Sequence, residues 1–481
     1  MTARSDASSK PNVLILMVDE LNVRCTEVYG HPFVRTPHLA ALAAAGVTVG
    51  RAYCQSPLCV PSRAAFMTGR LPHSVGVYDL ASSLSSEEPT WAHLLNAAGY
   101  ETALAGKMHF VGPDQRHGFQ KRLVEDCHGD GAHHGVPNWD APPRTGRPPS
   151  PRLTKAGRAG RTRYTDYDEA VRDETVRYLK ERAGAADGKP FALCASFISP
   201  HFPLVVPEPY FSMYYPAHAD LPAHPEPPDH PKYARVRRFF SLDEGFEEEV
   251  IRRCRAAYYG LVSFVDALIG DILAALRESG LGENTFVLFT GDHGEMLGER
   301  GLWWKSVLLE GAARVPMICA WPGHLPAGER RDGVVSLMDV LPTLLDVAGE
   351  RCPEMVEGES FLPFLEDAGA PWKDEAVVEF LAHTAIHPEA ALITGAHSGG
   401  RKHKLIYALH EPAQLFDLEA DPDELHDLAS EPRHRWLVRA MERDLLSRWP
   451  AERLDVAVRQ SQRTRRYTAA GTHSEMAELE H

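Results

Sequence analysis

The eight cysteines (25, 54, 59, 127, 194, 254, 319 and 352) form no C-x-x-C pair and no zinc-like spacing over 481 residues. Neither a disulfide framework nor a structural zinc site is suggested, and a reducing, cytoplasmic location is the expectation. Long apolar runs are missing too. The run 13–18 (VLILMV) is far shorter than a membrane span and ends in Asp19 and Glu20. With no small-residue cleavage site behind a longer apolar region, it reads as a strand and not as a signal peptide. Positive charge is in deficit: 51 Lys+Arg stand against 66 Asp+Glu, a net charge of −15. A nucleic-acid binder needs a basic face for its phosphate contacts, so that class is set aside. A small anionic substrate stays open, because a local basic pocket fits inside an acidic protein. No internal repeat is visible.

What is present suits a large soluble protein. A hydrophobic content of 44% supports a core that needs no covalent staples. The length predicts two or three domains, or one large α/β domain with an appendage. The continuous apolar run 13–18 is what a strand buried on both faces of a sheet requires. Thr36 and Pro37, followed by Leu39, Leu42 and Gly46, spell a helix with N-cap, N1 proline and terminal glycine, and 90–99 repeats that grammar. Further strands are predicted at 101–105, 190–197, 285–290 and 315–320, and a short helix around 64–67. Longer helices are predicted at 168–183, 246–276 and 337–348. Stretches 111–165 and 202–232, rich in Gly, Pro, Arg and His, read as long loops. After about 375 come short strands such as 403–407 and 414–418, then a helix near 433–446. The expected architecture is a large doubly wound α/β domain over 1–375, with a smaller C-terminal α+β piece over 376–481.

In open α/β sheets, ligands gather beyond the carboxyl ends of the strands. That rule collects Asp19 and Glu20, Lys107 and His109, His201, and Asp292 and His293 on one edge. A lone carboxylate after a strand is more often an N-cap or a solvated residue, and a lone His more often a hydrogen-bonded loop residue. Four such groups together are harder to dismiss. Carboxylates with a His bind a hard divalent cation through O and N atoms. Lysine and arginine around that cation suit a sulfate or phosphate oxyanion. The most specific signal is Cys59-Val60-Pro61-Ser62-Arg63, continued by Thr68-Gly69-Arg70. As a cysteine nucleophile it departs from the phosphatase pattern, which places five residues between Cys and Arg. A buried structural cysteine is a plausible reading, but it leaves the polar setting unexplained.

The run 59–70 resembles the sulfatase signature C-x-P-S-R-x-x-x-x-T-G-R. The resemblance continues through MVDE (17–20), GKMH (106–109), SPH (199–201), GDHG (291–294), GERGLWWK (298–305) and DVLPT (339–343). On these motifs the chain is identified as a member of the type I, formylglycine-dependent sulfatases of the alkaline-phosphatase-like superfamily. Segments 107–119 and 414–428 look most like choline sulfatases, and the arylsulfatase and phosphonate monoester hydrolase group is similar too. The resemblance implies a large mixed sheet flanked by helices, with a C-terminal subdomain of short antiparallel strands plus helix. It implies oxidation of Cys59 to formylglycine by a formylglycine-generating or other sulfatase-maturating enzyme. It also implies one divalent metal, calcium in most sulfatases with Mn, Mg or Zn as alternatives, held by Asp19, Glu20, Asp292, His293 and the modified Cys59.

The implied reaction is attack by the hydrated aldehyde on the sulfur of a small anionic sulfate ester. A covalent enzyme sulfate forms, and sulfate leaves once His109 takes the remaining hydroxyl proton. Arg63 would hold the nucleophile, and Lys107, His201 and Lys305 would bind sulfate oxygens. His201 or Lys305 would also protonate the leaving oxygen. From spacing alone, an exposed charge is an equally good reading of Lys305. For a choline leaving group, Trp139 and Glu379 are the candidate aromatic and carboxylate, although an anchoring loop Trp fits Trp139 as well. The arginines of 144–163 read either as anion-recruiting groups or as a solvated loop. Two other functions stay open: a phosphonate monoester or phosphodiester hydrolase, and a non-catalytic binding protein with an unmodified Cys59. No nucleic-acid or membrane partner is expected, and a homo-oligomer is.

Overall fold

The computed structural model describes residues 10–472, apart from 132, 142–149, 186–187 and 396–401. Its main sheet has eight strands: β1 (Asn12–Asp19), β2 (Val47–Tyr53), β3 (Glu101–Gly106), β4 (Lys121–Val124), β5 (Phe191–Pro200), β6 (Thr285–Gly291), β7 (Arg314–Ala320) and β8 (Glu329–Ser336). They lie in the order β8-β2-β7-β6-β1-β5-β3-β4. Only β7 runs antiparallel to its neighbours, β2 and β6, so the sheet is mixed. From β1 the chain goes to β2 on one side and then to β3 on the other. That reversal opens a crevice beside the carboxyl end of β1.

The apolar run of β1 serves two cores at once. Leu14, Leu16 and Val18 join one cluster, and Val13, Ile15 and Met17 join the other. Strand side chains alternate between faces, so a central strand covered on both sides must be apolar at every position. The first core is closed by α1 (Pro37–Ala44), α4 (Arg163–Ala183) and α5 (Glu248–Glu278). The second is closed by α2 (Cys59–Thr68), α3 (Trp91–Ala97) and α6 (Val340–Val347). Helix α5 is long and apolar enough to cross a membrane, but 83% of its apolar window is buried inside the protein. It is a core helix.

Four antiparallel strands, β9 (Glu375–Phe380), β10 (Glu389–Thr394), β11 (His403–Ala408) and β12 (Gln414–Asp417), form a second sheet in chain order. With α7 (Arg435–Arg448) and α8 (Ala451–Thr472) they build a third cluster. This cluster also takes in Tyr53, Leu58, Leu308 and Leu309, so the C-terminal sheet and the residue preceding Cys59 share one core.

Several elements differ from the sequence expectation. Strand β4 falls where a long loop was expected, the helix Pro231–Phe239 begins at the end of the other such stretch, and β2, β8 and α8 were not expected at all. Strand β2 carries Gly50 and Arg51 within VTVGRAY, and β8 opens with ERRD, so neither shows an apolar period. In α8 the buried apolar side chains are few, Leu454 and Val458 among them, and arginines dominate the rest.

Candidate active site

The parallel register aligns Val18 with Gly291 and Asp19 with Pro200, so Asp19, His201 and Asp292 leave the sheet side by side. Lys107 follows β3, and its N–H donates to the Ser196 carbonyl at 3.0 Å. From the second core, α2 presents Cys59 in its first turn and Arg63 one turn later. Positions i and i+4 share a helix face. Pro61 fits that first turn, where an amide has no partner to lose. Ser62 Oγ donates to the Asp292 carbonyl, tying α2 to the end of β6. The closing residues of the signature end the helix. Thr68 Oγ1 donates to the Ala64 carbonyl at 2.8 Å, and Gly69 sits at φ 66°. A Cβ on Gly69 would lie 2.8 Å from Val356 Cγ1. Gly69→Ala is therefore expected to cost about 2 kcal/mol of stability from left-handed strain and this contact, read as a lower urea midpoint at unchanged slope.

Asp19, Cys59, Asp292 and His293 are all buried, and their ligand atoms lie within 4.8 Å of one another. His293 Nδ1 donates to the Gly294 carbonyl at 3.0 Å. That fixes the tautomer and leaves Nε2 as a bare lone pair, 3.1 Å from Cys59 Sγ and 3.7 Å from both Asp19 Oδ1 and Asp292 Oδ1. Asp292 Oδ1 accepts from the backbone N–H of Glu20 at 3.1 Å and of His293 at 2.8 Å. Arg63 Nε donates to Asp292 Oδ2 at 2.8 Å, and Nη1 donates to the Lys107 carbonyl at 2.7 Å and Ser196 Oγ at 2.9 Å. Lys107 Nζ pairs with Asp19 Oδ2. Beside this group lies a second, overlapping one of Asp19, Glu20 and His201. There Lys305 Nζ donates to Glu20 Oε2 at 2.8 Å, and His201 Nε2 is 3.2 Å from the same oxygen.

Burial and charge set the protonation of this cluster. Burial pushes the Asp19 carboxyl up, but the charges of Lys107 and Arg63 outweigh it and hold the group well below the usual carboxylate range. Burial raises Glu20 to about 8, against the pull of Lys305. Burial pushes the Cys59 thiol up to about 12, and the Asp19 carboxylate adds to the shift. A helix N-terminus normally favours a thiolate; here desolvation and neighbouring carboxylates win.

Three carboxylates and one imidazole lone pair are the donors a hard divalent cation takes. Glu20 Oε1 is buried with no hydrogen-bond partner among the described residues. The residues fit such an ion.

The sulfatase family model matches residues 11–350, and that for the N-sulphoglucosamine sulphohydrolase C-terminal region matches 298–449. A choline-sulfatase of Rhizobium meliloti is 37% identical over 482 aligned positions, covering 95% of this chain and 90% of that protein. The chain belongs to the sulfatase family. An arylsulfatase of Clostridium perfringens is 31% identical, covering 89% of this sulfatase and 92% of that protein. The phosphonate monoester hydrolase of Silicibacter pomeroyi superposes with a TM-score of 0.75 at 27% identity, over 91% of this chain and 94% of that one. The sulfatase is accordingly a sulfuric ester hydrolase with the mixed α/β fold its sequence implied.

Within the sulfatase, every residue expected from the sequence to be catalytic or to hold the metal, except His109, joins the network around Asp19, Glu20 and Asp292. His109 stands beside it: burial and the charge of Lys107 hold its imidazole well below the ordinary value, while its Nε2 faces His134 Nε2 at 2.8 Å. Lys305 is 8% exposed, which removes the reading as a solvated charge. The two residues considered for a quaternary ammonium are otherwise engaged. Glu379 accepts from the His73 backbone N–H and the Trp449 Nε1–H, each at 2.7 Å, and its Oε2 also lies 2.7 Å from His73 Nδ1. Trp139 Nε1 donates to the Ala382 carbonyl at 3.1 Å, and the Arg459 guanidinium lies 5.6 Å from its ring. Trp139 anchors a loop, and the cation at its ring is the protein's own. Arg144 and Arg147 lie outside the described residues. Sequence reasoning missed Glu295, whose Oε1 accepts from the Leu297 N–H at 2.8 Å and whose carboxyl is raised by burial. It missed Asp126, Ser196 and His134 as well. Of these only Glu295 carried a signal, standing two residues after His293.

Proposed function

We propose that this sulfatase hydrolyses a small sulfate ester using a formylglycine made from Cys59 and a bound divalent cation, calcium before Mn, Mg or Zn. The supporting observation is the position of Cys59: a buried side chain 3.1 Å from a bare imidazole nitrogen, between carboxylates that suppress its thiolate. When present, the aldehyde would supply the nucleophile and the cation would polarise a sulfate oxygen. Asp19, Glu20, Asp292 and His293 would hold that cation.

The chain's own cations do the remaining work. Arg63 fixes Asp292, Lys107 keeps Asp19 ionised, and both supply positive charge where a sulfate oxyanion must sit. His201 Nδ1 donates to the Phe202 carbonyl at 2.8 Å, so its neutral ring has no proton at Nε2. Burial and the charge of Lys305 hold His201 well below its ordinary pKa, which favours that neutral ring. Lys305 is raised: burial opposes its charge, but Glu20 and its neighbours outweigh it. Lys305 Nζ is therefore the standing proton donor for the leaving oxygen, and the bare Nε2 of His201 can only accept a hydrogen bond. Eight cysteines without a disulfide, most of them buried, support placement in a reducing compartment.

The test compares kcat/KM for an aryl sulfate, choline sulfate and a phosphonate monoester. A sulfate ester is expected to lead by at least about tenfold. A clear lead for the phosphonate would establish the second reading, which the phosphonate monoester hydrolase superposition favours. A lead for choline sulfate would mean that its cation is held by residues other than Trp139 and Glu379.

A further inference from the structure

His109 is held from several directions, by groups that the proposed reaction does not employ. Its backbone adopts φ 59°, a left-handed conformation that a histidine keeps only when its surroundings impose it. Asp126 Oδ2 accepts the N–H of His109 at 2.6 Å and of Met108 at 2.8 Å, while Oδ1 accepts the His128 N–H at 3.0 Å. The His128 ring lies flat on the His109 ring, with centroids 4.3 Å apart and planes 11° from parallel. His134 Nε2 is 2.8 Å from His109 Nε2. The remaining ring atom, His109 Nδ1, is buried and has no hydrogen-bond partner among the described residues.

Two imidazole nitrogens at 2.8 Å must share one hydrogen, one donating and the other accepting. If His134 donates, neutral His109 carries its hydrogen on the buried Nδ1 and that atom accepts nothing. If His109 donates, Nδ1 is a free lone pair. An orphaned buried N–H is rarer and costlier than an under-used acceptor.

We propose that His134 is a positioning residue that accepts a hydrogen bond from His109 Nε2–H and so holds Nδ1 as the proton-accepting atom of the site. This rests on the reading of His109 as the base. The proton passes from the reacting hydroxyl to Nδ1, His109 becomes an imidazolium that keeps its Nε2–H on His134, and the proton then returns to solvent.

The full-length protein is compared with His134→Phe, His134→Gln and His109→Ala. Gln places its amide oxygen where Nε2 stood and still accepts. Long-range 1H–15N correlation on histidine-labelled protein, with the His109 signals assigned by their loss in His109→Ala, reads the tautomer directly, whether or not position 59 is modified. The wild type and the Gln variant are expected in the Nε2–H form, and the Phe variant with Nδ1–H populated. In kinetics, Phe is expected to lower kcat by at least about tenfold with KM within about twofold, and Gln to recover most of it. An Nδ1–H tautomer in the wild type, or an unchanged tautomer and kcat in the Phe variant, would overturn the inference. Failure of Gln to recover a loss seen with Phe would do the same. Full activity in His109→Ala would instead remove the base reading itself.

Discussion

Cys59→Ala is expected to lower kcat by at least about 10⁴-fold, the scale on which an enzyme falls when its nucleophile is deleted. The fold is expected to survive. Alanine is the best helix former, and the thiol lies near Asp19 and His293, each of which keeps other partners. Near-coincident urea unfolding curves for mutant and wild type would show this. The wild-type peptide containing position 59, analysed by mass spectrometry from the native host, is expected to carry the aldehyde. Activity near wild type in the alanine variant would place the nucleophile elsewhere. An inactive wild-type protein with an intact thiol would favour the non-catalytic binding protein.

Arg63→Ala is expected to cost stability as well as activity. The guanidinium is fully buried and reaches Asp292 at 2.8 Å, Asp19 at 3.5 Å, the Lys107 carbonyl at 2.7 Å and Ser196 Oγ at 2.9 Å. Removing it takes the guanidinium away from Asp292 Oδ2 and leaves that buried carboxyl with its two backbone donors. Breaking one partner out of a buried pair costs about 3–5 kcal/mol, and the lost hydrogen bonds add to that. Turnover should fall by at least about 10²-fold, since the same charge serves the oxyanion. Arg63→Lys should recover little of either loss, because one ammonium cannot span contacts that a planar fork makes in several directions. Urea unfolding at neutral pH measures the first effect and kcat/KM the second. A stability loss below about 1 kcal/mol would show that Asp292 needs no partner.

These contacts explain what could be read from the sequence and what could not. β1 was legible because a strand buried on two faces must be apolar at every position, and VLILM satisfies that without context. Asp19, Lys107, His201 and Asp292 were legible because strand ends in such a sheet converge, and Cys59 with Arg63 through the resemblance of 59–70 to the sulfatase signature. Lys305 was ambiguous because its burial is decided by Glu20, 285 residues away in sequence. Asp126 and His134 were hidden in a stretch without period. Their role depends on His109 taking a left-handed backbone that no local residue preference announces. The quaternary-ammonium reading of Trp139 failed for a related reason: Gln462 Oε1 accepts its backbone N–H at 2.9 Å and Arg459 covers its ring, and both come from α8, a helix whose polar composition concealed it.

The 3% exposure of Cys59 bears on timing. Leu58 before it is locked into the core shared with the C-terminal sheet, and Val60 after it into the core behind α2. A macromolecule cannot reach that side chain without unpacking both. On the proposed chemistry, the oxidation of Cys59 is therefore a race against folding, begun when the segment leaves the ribosome and lost when the C-terminal strands dock. The fraction of active molecules in any preparation is then decided during synthesis, and a chain that folds first keeps its thiol for life.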